Sequence, residues 1–520
     1  MTNENTDIKK VIQRASLLMM VSVILSRVIG FLREWVLAQT VGATPDTDVY
    51  WASFTIPDFL NYLMAAGALS ISFIPILATM ISEGNEDLGR RVFRSISTWM
   101  GLALILFIIV GEIFASTLAD LVAPGFGPEQ HALLVTLLRI ILPAQFFFYW
   151  GGLAISVQHT HGKFFLPAVA PIIYNGGIII FGILLHRNHG VLGFSVGVLA
   201  GAFLSHGILQ WIGVRKVGFS AKLYFEFPPE VSKAFKRYLW LNLPIMLGFS
   251  LVVTDEWFSK YFGSRLEPRA VSWLSYARTE MRIPIAILGQ AAGIASFPYL
   301  SRLWSQQNYE KYAHTLLREI QKLWALAPVA AILLMGHALP LTQLIYGGGK
   351  FTERDFTNTA GALQMFGIGV FFWTVQVLLS RGFYAAQKTW LPSLIGTIIS
   401  VAVFPFYAIL GDRLGFKGLA LTGSIGIAVY TAILWVLLRR HIAHAAQGFS
   451  FAAFYKFCFA WCVPLVGVYL ISEIVRRSGI YQSTRLTAFA DIMLVGTLSG
   501  GFCLVLLRKV YFRMTDGALF

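Results

Sequence analysis

The chain has 520 residues, 56% hydrophobic by type and only 13% charged, with a mean hydropathy of +0.67. Forty-one Lys and Arg stand against 26 Asp and Glu, a formal net charge of +15. A soluble protein carries roughly 25% charged residues, so a disordered chain, a nucleic-acid-binding domain and an ordinary cytosolic enzyme are excluded. Cys458, Cys462 and Cys503 all lie in apolar runs, which excludes a disulfide framework. An all-α polytopic membrane protein remains.

A span needs about 20 mostly apolar residues, and on that template about fourteen follow in chain order. They cover roughly 15–39, 49–81, 95–119, 132–157, 164–185, 191–213, 239–262, 271–300, 320–344, 357–385, 390–410, 417–438, 452–473 and 487–507. Lys9, Lys10 and Arg14 ahead of the first run imitate a signal peptide. The run is too long and lacks a small-residue cleavage site, so it is read as the first helix. The longest connection, Arg215 to Tyr238, holds about 25 residues, too few for an independent catalytic domain.

Loops assigned alternately to two sides differ sharply in charge. One side holds the N-terminus, the loops at Arg90/Arg91/Arg94, Lys163, Arg215–Arg237, Arg302–Lys322, Lys388 and Arg439/Arg440, and the tail Arg508/Lys509/Arg513. It has about 24 Lys and Arg against about 10 on the other side, which places both termini in the cytoplasm and requires an even number of spans.

The second and eighth spans share a pattern: Tyr50 and Tyr276, Ile-Pro at Pro57 and Pro284, Ala-Ala-Gly at Gly67 and Gly293, then Phe and Pro before Leu. The junction QHTHGKFFLPAVAP from Gln158 resembles QKTWLPSL from Gln387. Both matches are offset by six helices, so the halves read as parallel repeats. The predicted organisation is an N-terminal lobe over 1–214, a C-terminal lobe over 215–440 and a helix pair over 441–520. Six plus six plus two is a transporter architecture, with a central site expected between the lobes.

Charges inside spans are costly and mark function unless they reach the interface. Arg27, Arg33, Arg139, Lys260, Arg278, Arg282 and Arg381 are the basic residues that loops do not absorb. Arg27 and Arg33, six apart, point about 120° away from each other on a straight helix, and Gly30 between them permits a bend toward one cavity. Arg278 and Arg282, four apart, share a face, and Pro284 loosens the helix beyond them. Guanidinium forks suit phosphate or carboxylate oxygens, so these four arginines are the candidate substrate-binding residues. Arg139 and Arg381 are read as snorkelling or structurally paired.

Among the acids, Asp255 and Glu256 lie deepest, whereas Glu34, Asp48, Asp58 and Glu280 sit nearer span ends or proline segments. Glu256 and Lys260 form an i,i+4 pair in the favourable order, which leaves Asp255 without a partner on its own helix. Asp255, Glu256, Lys260, Glu34 and Asp48 are therefore candidates for ion coupling or charge balance.

Other motifs fail. YGGGKFT from Tyr346 resembles a phosphate loop, but Leu344 stands where Walker A needs its first glycine, and no strand precedes it. His159/His161 and His186/His189 lie at opposite ends of the fifth span, too far apart for one metal ion. Cys458 and Cys462 are four apart with no third ligand nearby. No metal site or cofactor is expected.

The runs SRVIGFLRE from Ser26, TDVYWASFTIPDFL from Thr47, GALSISFIPIL from Gly67, APGF from Ala123, LRIILP from Leu138, FLPAVAPIIYN from Phe165, YA from Tyr276, YGGGKFT from Tyr346 and GFYAAQ from Gly382 resemble the MviN/MurJ family. That family belongs to the multidrug/oligosaccharidyl-lipid/polysaccharide exporter superfamily. The likeness runs in order across about 30–440.

It implies a flippase that moves lipid II, the undecaprenyl-pyrophosphate-linked peptidoglycan precursor, from the cytoplasmic to the periplasmic leaflet of the bacterial inner membrane. It also implies a V-shaped pair of six-helix lobes and a lipid groove formed by the last two helices. The family's two first-helix arginines fall on Arg27 and Arg33, the neighbouring acid on Glu34, and the acid opening the second helix on Asp48. Its paired second-helix arginines fall on Asn61 and Tyr62, and the nearby glutamate on Ala66. Its eighth-helix arginine falls on Thr279, one residue after Arg278. Another polyprenyl-linked glycan is therefore a second candidate substrate.

The expected mechanism is alternating access, with a cationic cavity taking the pyrophosphate while the polyprenyl tail stays in lipid. No ATP motif is present, which leaves membrane potential, a monovalent-ion gradient or downstream consumption as the driving force. The expected partners are the lipid-linked glycan and membrane lipids, not nucleic acid. A drug/cation antiporter using Asp255 and Glu256 is the alternative of the same fold class, and the excess of arginine argues against it. An integral-membrane enzyme would need acidic metal ligands or a large periplasmic loop.

Overall fold

A computed structural model describes residues 2–64, 68–247 and 251–442. The expected thirteenth and fourteenth spans, the three cysteines and the alanine-alanine-glycine step at Gly67 lie outside the described residues. The chain divides into two compact units between Leu247 and Gly248. Among the described residues the structure is helical, with no strand.

The first unit contains α1 (Thr2–Thr40), α2 (Pro45–Ser53), α3 (Thr55–Met64), α4 (Ala68–Ser82), α5 (Glu86–Ile113) and α6 (Ala115–Val122). It continues with α7 (Pro128–Ile141), α8 (Ala144–Thr160), α9 (Phe165–His189), α10 (Val191–Ala202), a π-helical turn at Phe203–Ile208, α11 (Leu209–Lys216) and α12 (Pro229–Leu247). The second contains α13 (Leu251–Gly263), α14 (Ala270–Pro284), a π-helical turn at Ile285–Gln290, α15 (Ala291–Ser305), α16 (Tyr309–Gly336), α17 (Ala338–Tyr346), α18 (Glu353–Ala385), α19 (Trp390–Leu414) and α20 (Phe416–Ile442).

Nine helical segments among the described residues are long and apolar enough to cross a membrane. They match the third to sixth and the eighth to twelfth expected spans. The second span is interrupted between α2 and α3, at Phe54, one residue before Thr55-Ile-Pro57. The eighth carries its π-helical turn directly after Pro284, where the missing proline N–H withdraws a donor from the ladder. Large apolar side chains remain outside the packed interior: Leu184 and Val401 are each 70% exposed. Lipid is the solvent that suits such a surface, because the helices satisfy their own backbone groups.

Local sequence sets the helix ends. Asn85 and Asn308 accept N-cap hydrogen bonds from the backbone N–H groups of Leu88 and Lys311, satisfying donors left orphaned by helix geometry. A different device is shared by α9 and α19, which have no side-chain N-cap. Each has 25 residues, each carries proline at its third position (Pro167, Pro392), and each ends on a glycine of positive φ, 52° at Gly190 and 60° at Gly415. Proline is harmless in a first turn, and glycine takes left-handed φ without a Cβ penalty. α10 lies close on α9 because small residues face each other: a Cβ on Gly177 would stand 2.8 Å from Gly201 Cα. Backbones approach in this way where small side chains line a membrane interface.

Candidate functional site

In the first unit the functional candidates lie on α1. This helix runs unbroken through Gly30, whose Cα faces Asn175 on α9. Arg33 turns toward α9. Its Nη1 donates to Asn175 Oδ1 at 3.2 Å and its Nη2 to Glu34 Oε1 at 3.1 Å. Asn175 is fixed in turn, because its Nδ2 donates to Pro171 O at 2.9 Å, a carbonyl one turn back within α9. Arg33 is thus oriented on both sides while its side chain keeps 22% of its surface exposed. One turn and a half earlier, Arg27 is exposed. Lower on the same interface, Ser22 Oγ donates to Ala168 O of α9. Asp48 is 2% exposed in the first turn of α2, a helix capped by Thr44 through the Thr47 N–H. Burial there, at a helix N-terminus, suits a carboxylate that meets the positive end of the helix dipole.

In the second unit α13 and α14 carry five charges in two clusters. Arg278 Nη1 donates to Asp255 Oδ2, and Arg278 Nη2 donates to Ser259 Oγ at 2.8 Å. Tyr407 of α19 donates its hydroxyl to Asp255 Oδ1. The guanidinium also lies over the Phe366 ring of α18, 4.7 Å from its centroid, a cation–π contact. Asp255 and Arg278 side chains are only 1% and 5% exposed. The partner that Asp255 lacks on its own helix therefore comes from α14.

The second cluster is more open. Arg282 Nη2 donates to Glu256 Oε2 at 2.6 Å, and Lys260 Nζ lies 3.5 Å from Glu256 Oε1. The Arg282 side chain is 56% exposed and that of Lys260 4%. Arg278 and Arg282 thus share the face of α14 that meets α13. The first cluster is neutral, and the second carries one net positive charge.

Arg381 lies over the Phe297 ring at 5.6 Å, and its stem passes over Gly293, where a Cβ would come within 3.3 Å of Arg381 Cγ. That contact gives the glycine of the repeated motif a packing role. Arg139 is exposed on α7. The YGGGKFT segment leads into a helix cap: Thr352 and Asp355 form a reciprocal capping box at the start of α18, and Tyr346 and Phe351 stack with rings 5.1 Å apart. Composition left Asn175, Ser259, Phe366 and Tyr407 unmarked as partners. Asn175 alone gave a signal, as a lone amide in an apolar run.

The comparisons decide the family. The model of the lipid II flippase MurJ family matches residues 37–489. The chain belongs to the lipid II flippase MurJ family. A lipid II flippase MurJ from Burkholderia cenocepacia is 31% identical over 431 residues, covering 80% of this chain and 82% of the relative. A probable lipid II flippase MurJ from Vibrio cholerae is 25% identical over 440 residues, covering 82% and 83%. Among solved structures, lipid II flippase MurJ in an inward closed conformation superposes with a TM-score of 0.77 at 22% identity, over 96% of this chain and 99% of that one. An inward-facing MATE family transporter of the MOP superfamily superposes with a TM-score of 0.64 at 15% identity, over 83% and 100%. These likenesses show the shared fold. MurJ family members are multi-pass transporters of the bacterial inner membrane rather than enzymes.

Proposed function

We propose that this protein flips lipid II from the cytoplasmic to the periplasmic leaflet by alternating access. Membership of the MurJ family across residues 37–489 carries this reading. Arg27, Arg33 and Arg282 bind the pyrophosphate head. Arg27 and Arg282 are exposed, Arg33 is half-buried with its guanidinium oriented by Asn175 and Glu34, and guanidinium forks match phosphate oxygens. Arg278 belongs to the binding set as a positioning residue, because its charge is neutralised by Asp255 in the interior. Glu34, Asp48, Asp255, Glu256 and Lys260 balance these charges. Both termini lie in the cytoplasm, and the charge bias of the loops supports that orientation. Membrane potential or a monovalent-ion gradient drives the cycle.

Complementation of a strain depleted of its lipid II flippase tests the substrate, with expression checked in the membrane. Growth is the expected result. Failure at full expression would favour the second reading, a flippase for another polyprenyl-linked glycan. Asn61, Tyr62 and Thr279, where the family resemblance expects arginine, are what supports that second reading. In reconstituted vesicles, replacing Arg27 and Arg33 together by Ala is expected to abolish pyrophosphate-lipid transport. Unchanged transport would remove the cationic site.

A further inference from the structure

Glu280 lies on α14, two residues beyond Arg278, and takes no part in either charge cluster. Its side chain is 0% exposed. One oxygen, Oε2, lies 3.2 Å from Thr342 Oγ1 on α17, and the other, Oε1, has no hydrogen-bond partner. An ionised carboxylate in such a place would carry an uncompensated charge, at a cost that paired or solvated carboxylates avoid.

The hydrogen count at Thr342 points the same way. Its hydroxyl has one hydrogen. The shorter contact, 2.8 Å to Ala338 O, is to a carbonyl that can only accept, so the Thr342 hydrogen belongs there. The remaining contact then needs its hydrogen from Glu280, and a carboxylic acid supplies it.

Among the described residues, neighbouring elements offer no counter-charge. On α13, Asp255, Glu256 and Lys260 are engaged with Arg278 and Arg282. On α18, Asp355 holds Arg269 and Trp273, and Arg381 lies over Phe297. The α16 charges lie in its first half, from Glu310 to Lys322. Buried His337, between α16 and α17, turns Nδ1 to Leu333 O at 3.1 Å. Lys417 of α20 packs against Gly361, and α17 carries no charged residue. Burial and the Thr342 hydroxyl are what bear on the Glu280 carboxyl.

We propose that Glu280 is a proton-binding site of the second unit, holding a neutral carboxylic acid that donates to Thr342 while α14 and α17 are in contact. Separation of that contact admits water, the Oε2–H bond breaks, and the proton passes to the water. Pro284 and the π-helical turn at Ile285–Gln290 lie one turn further on, so the helix is already loosened beside the site. The proton site holds whichever lipid is carried.

Infrared difference spectroscopy on the full chain in lipid nanodiscs at neutral pH tests this. Wild type minus E280Q is expected to show the carbonyl band of one protonated carboxylic acid, and T342V is expected to shift that band as its hydrogen bond is lost. E280Q, whose amide keeps a donor toward Thr342, is expected to unfold at the wild-type temperature. Carboxylate bands in the E280Q difference, an unshifted band in T342V, or a lowered unfolding temperature for E280Q would each overturn the proposal.

Discussion

Arg278 of α14 is paired with Asp255 of α13 in the interior of the second unit, and Tyr407 and Ser259 complete the ring of donors and acceptors around them. Burying two charges together is costly, and removing one is worse, because the survivor has no water to turn to. Arg278→Ala is therefore expected to cost about 3–5 kcal/mol of stability. Arg278→Met combined with Asp255→Leu is expected to recover most of that loss, since apolar replacements remove the desolvation penalty along with the attraction. Thermal unfolding of the detergent-solubilised variants checks both. A double variant no more stable than Arg278→Ala would show that the pair is not the source of the loss.

The space around the pair is set by a glycine. A Cβ on Gly423 of α20 would stand 2.2 Å from Asp255 Oδ1, so Gly423→Ala must push the carboxylate away from Arg278 or Tyr407. Overpacking of this kind costs about 1–3 kcal/mol. Gly176 on α9 is the control, because nothing lies within 4 Å of the Cβ it would gain. Gly176→Ala is expected to be neutral or to stabilise by up to about 1 kcal/mol, the helix penalty of glycine. Unfolding midpoints that fell equally for both would contradict the packing at Gly423.

Local periodicity made part of this site legible. The i,i+4 spacing of Arg278 and Arg282 placed both on one face, and that of Glu256 and Lys260 gave their pairing. Pro284 marked the loosened turn of α14, and the Ile-Pro pattern at Pro57 fell beside the break between α2 and α3. Contacts between helices distant in sequence were not legible. Tyr407 meets Asp255 across 152 residues and Asn175 meets Arg33 across 142, and no spacing rule links such positions. At Gly30, whose weak helix propensity permits a bend, α1 stays helical, and a Cβ there would meet Asn175 only at ordinary contact distance, 3.9 Å from Oδ1.

The fork at Arg33 spans two acceptors, Asn175 Oδ1 and Glu34 Oε1. A lysine ammonium keeps the charge without the planar fork. A hydrogen bond to a charged group contributes about 1.5–3 kcal/mol, and every 1.4 kcal/mol is about tenfold. If that orientation serves pyrophosphate binding, Arg33→Lys lowers transport in vesicles by about tenfold or more. Asn175→Leu removes the same contact from the other side and is expected to have a similar effect. The double variant is expected to fall no further than the more severe single one, because partners in one contact are not additive. Fully additive losses would mean that Arg33 and Asn175 act on transport separately.

Asp355 serves four donors with two oxygens. Oδ2 accepts from Thr352 N at 2.9 Å and Thr352 Oγ1 at 2.7 Å, while Oδ1 accepts from Trp273 Nε1 at 2.9 Å and Arg269 Nη1 at 3.3 Å. One side chain thus caps α18 and ties α14 to it. Asp355→Ala leaves the buried Trp273 indole without an acceptor, which costs about 1–3 kcal/mol, and strips the cap from the Thr352 amide, whose residue is exposed and can turn to solvent. Asp355→Asn retains one accepting oxygen and offers its amide nitrogen, a donor, to the other pair. It can therefore hold the cap or the Trp273 and Arg269 donors, not both, and its loss is expected to fall between wild type and Asp355→Ala. Tryptophan fluorescence during denaturant unfolding, summed over the 14 tryptophans, reports global stability. An Asn variant as stable as wild type would mean that one of the two donor pairs contributes nothing.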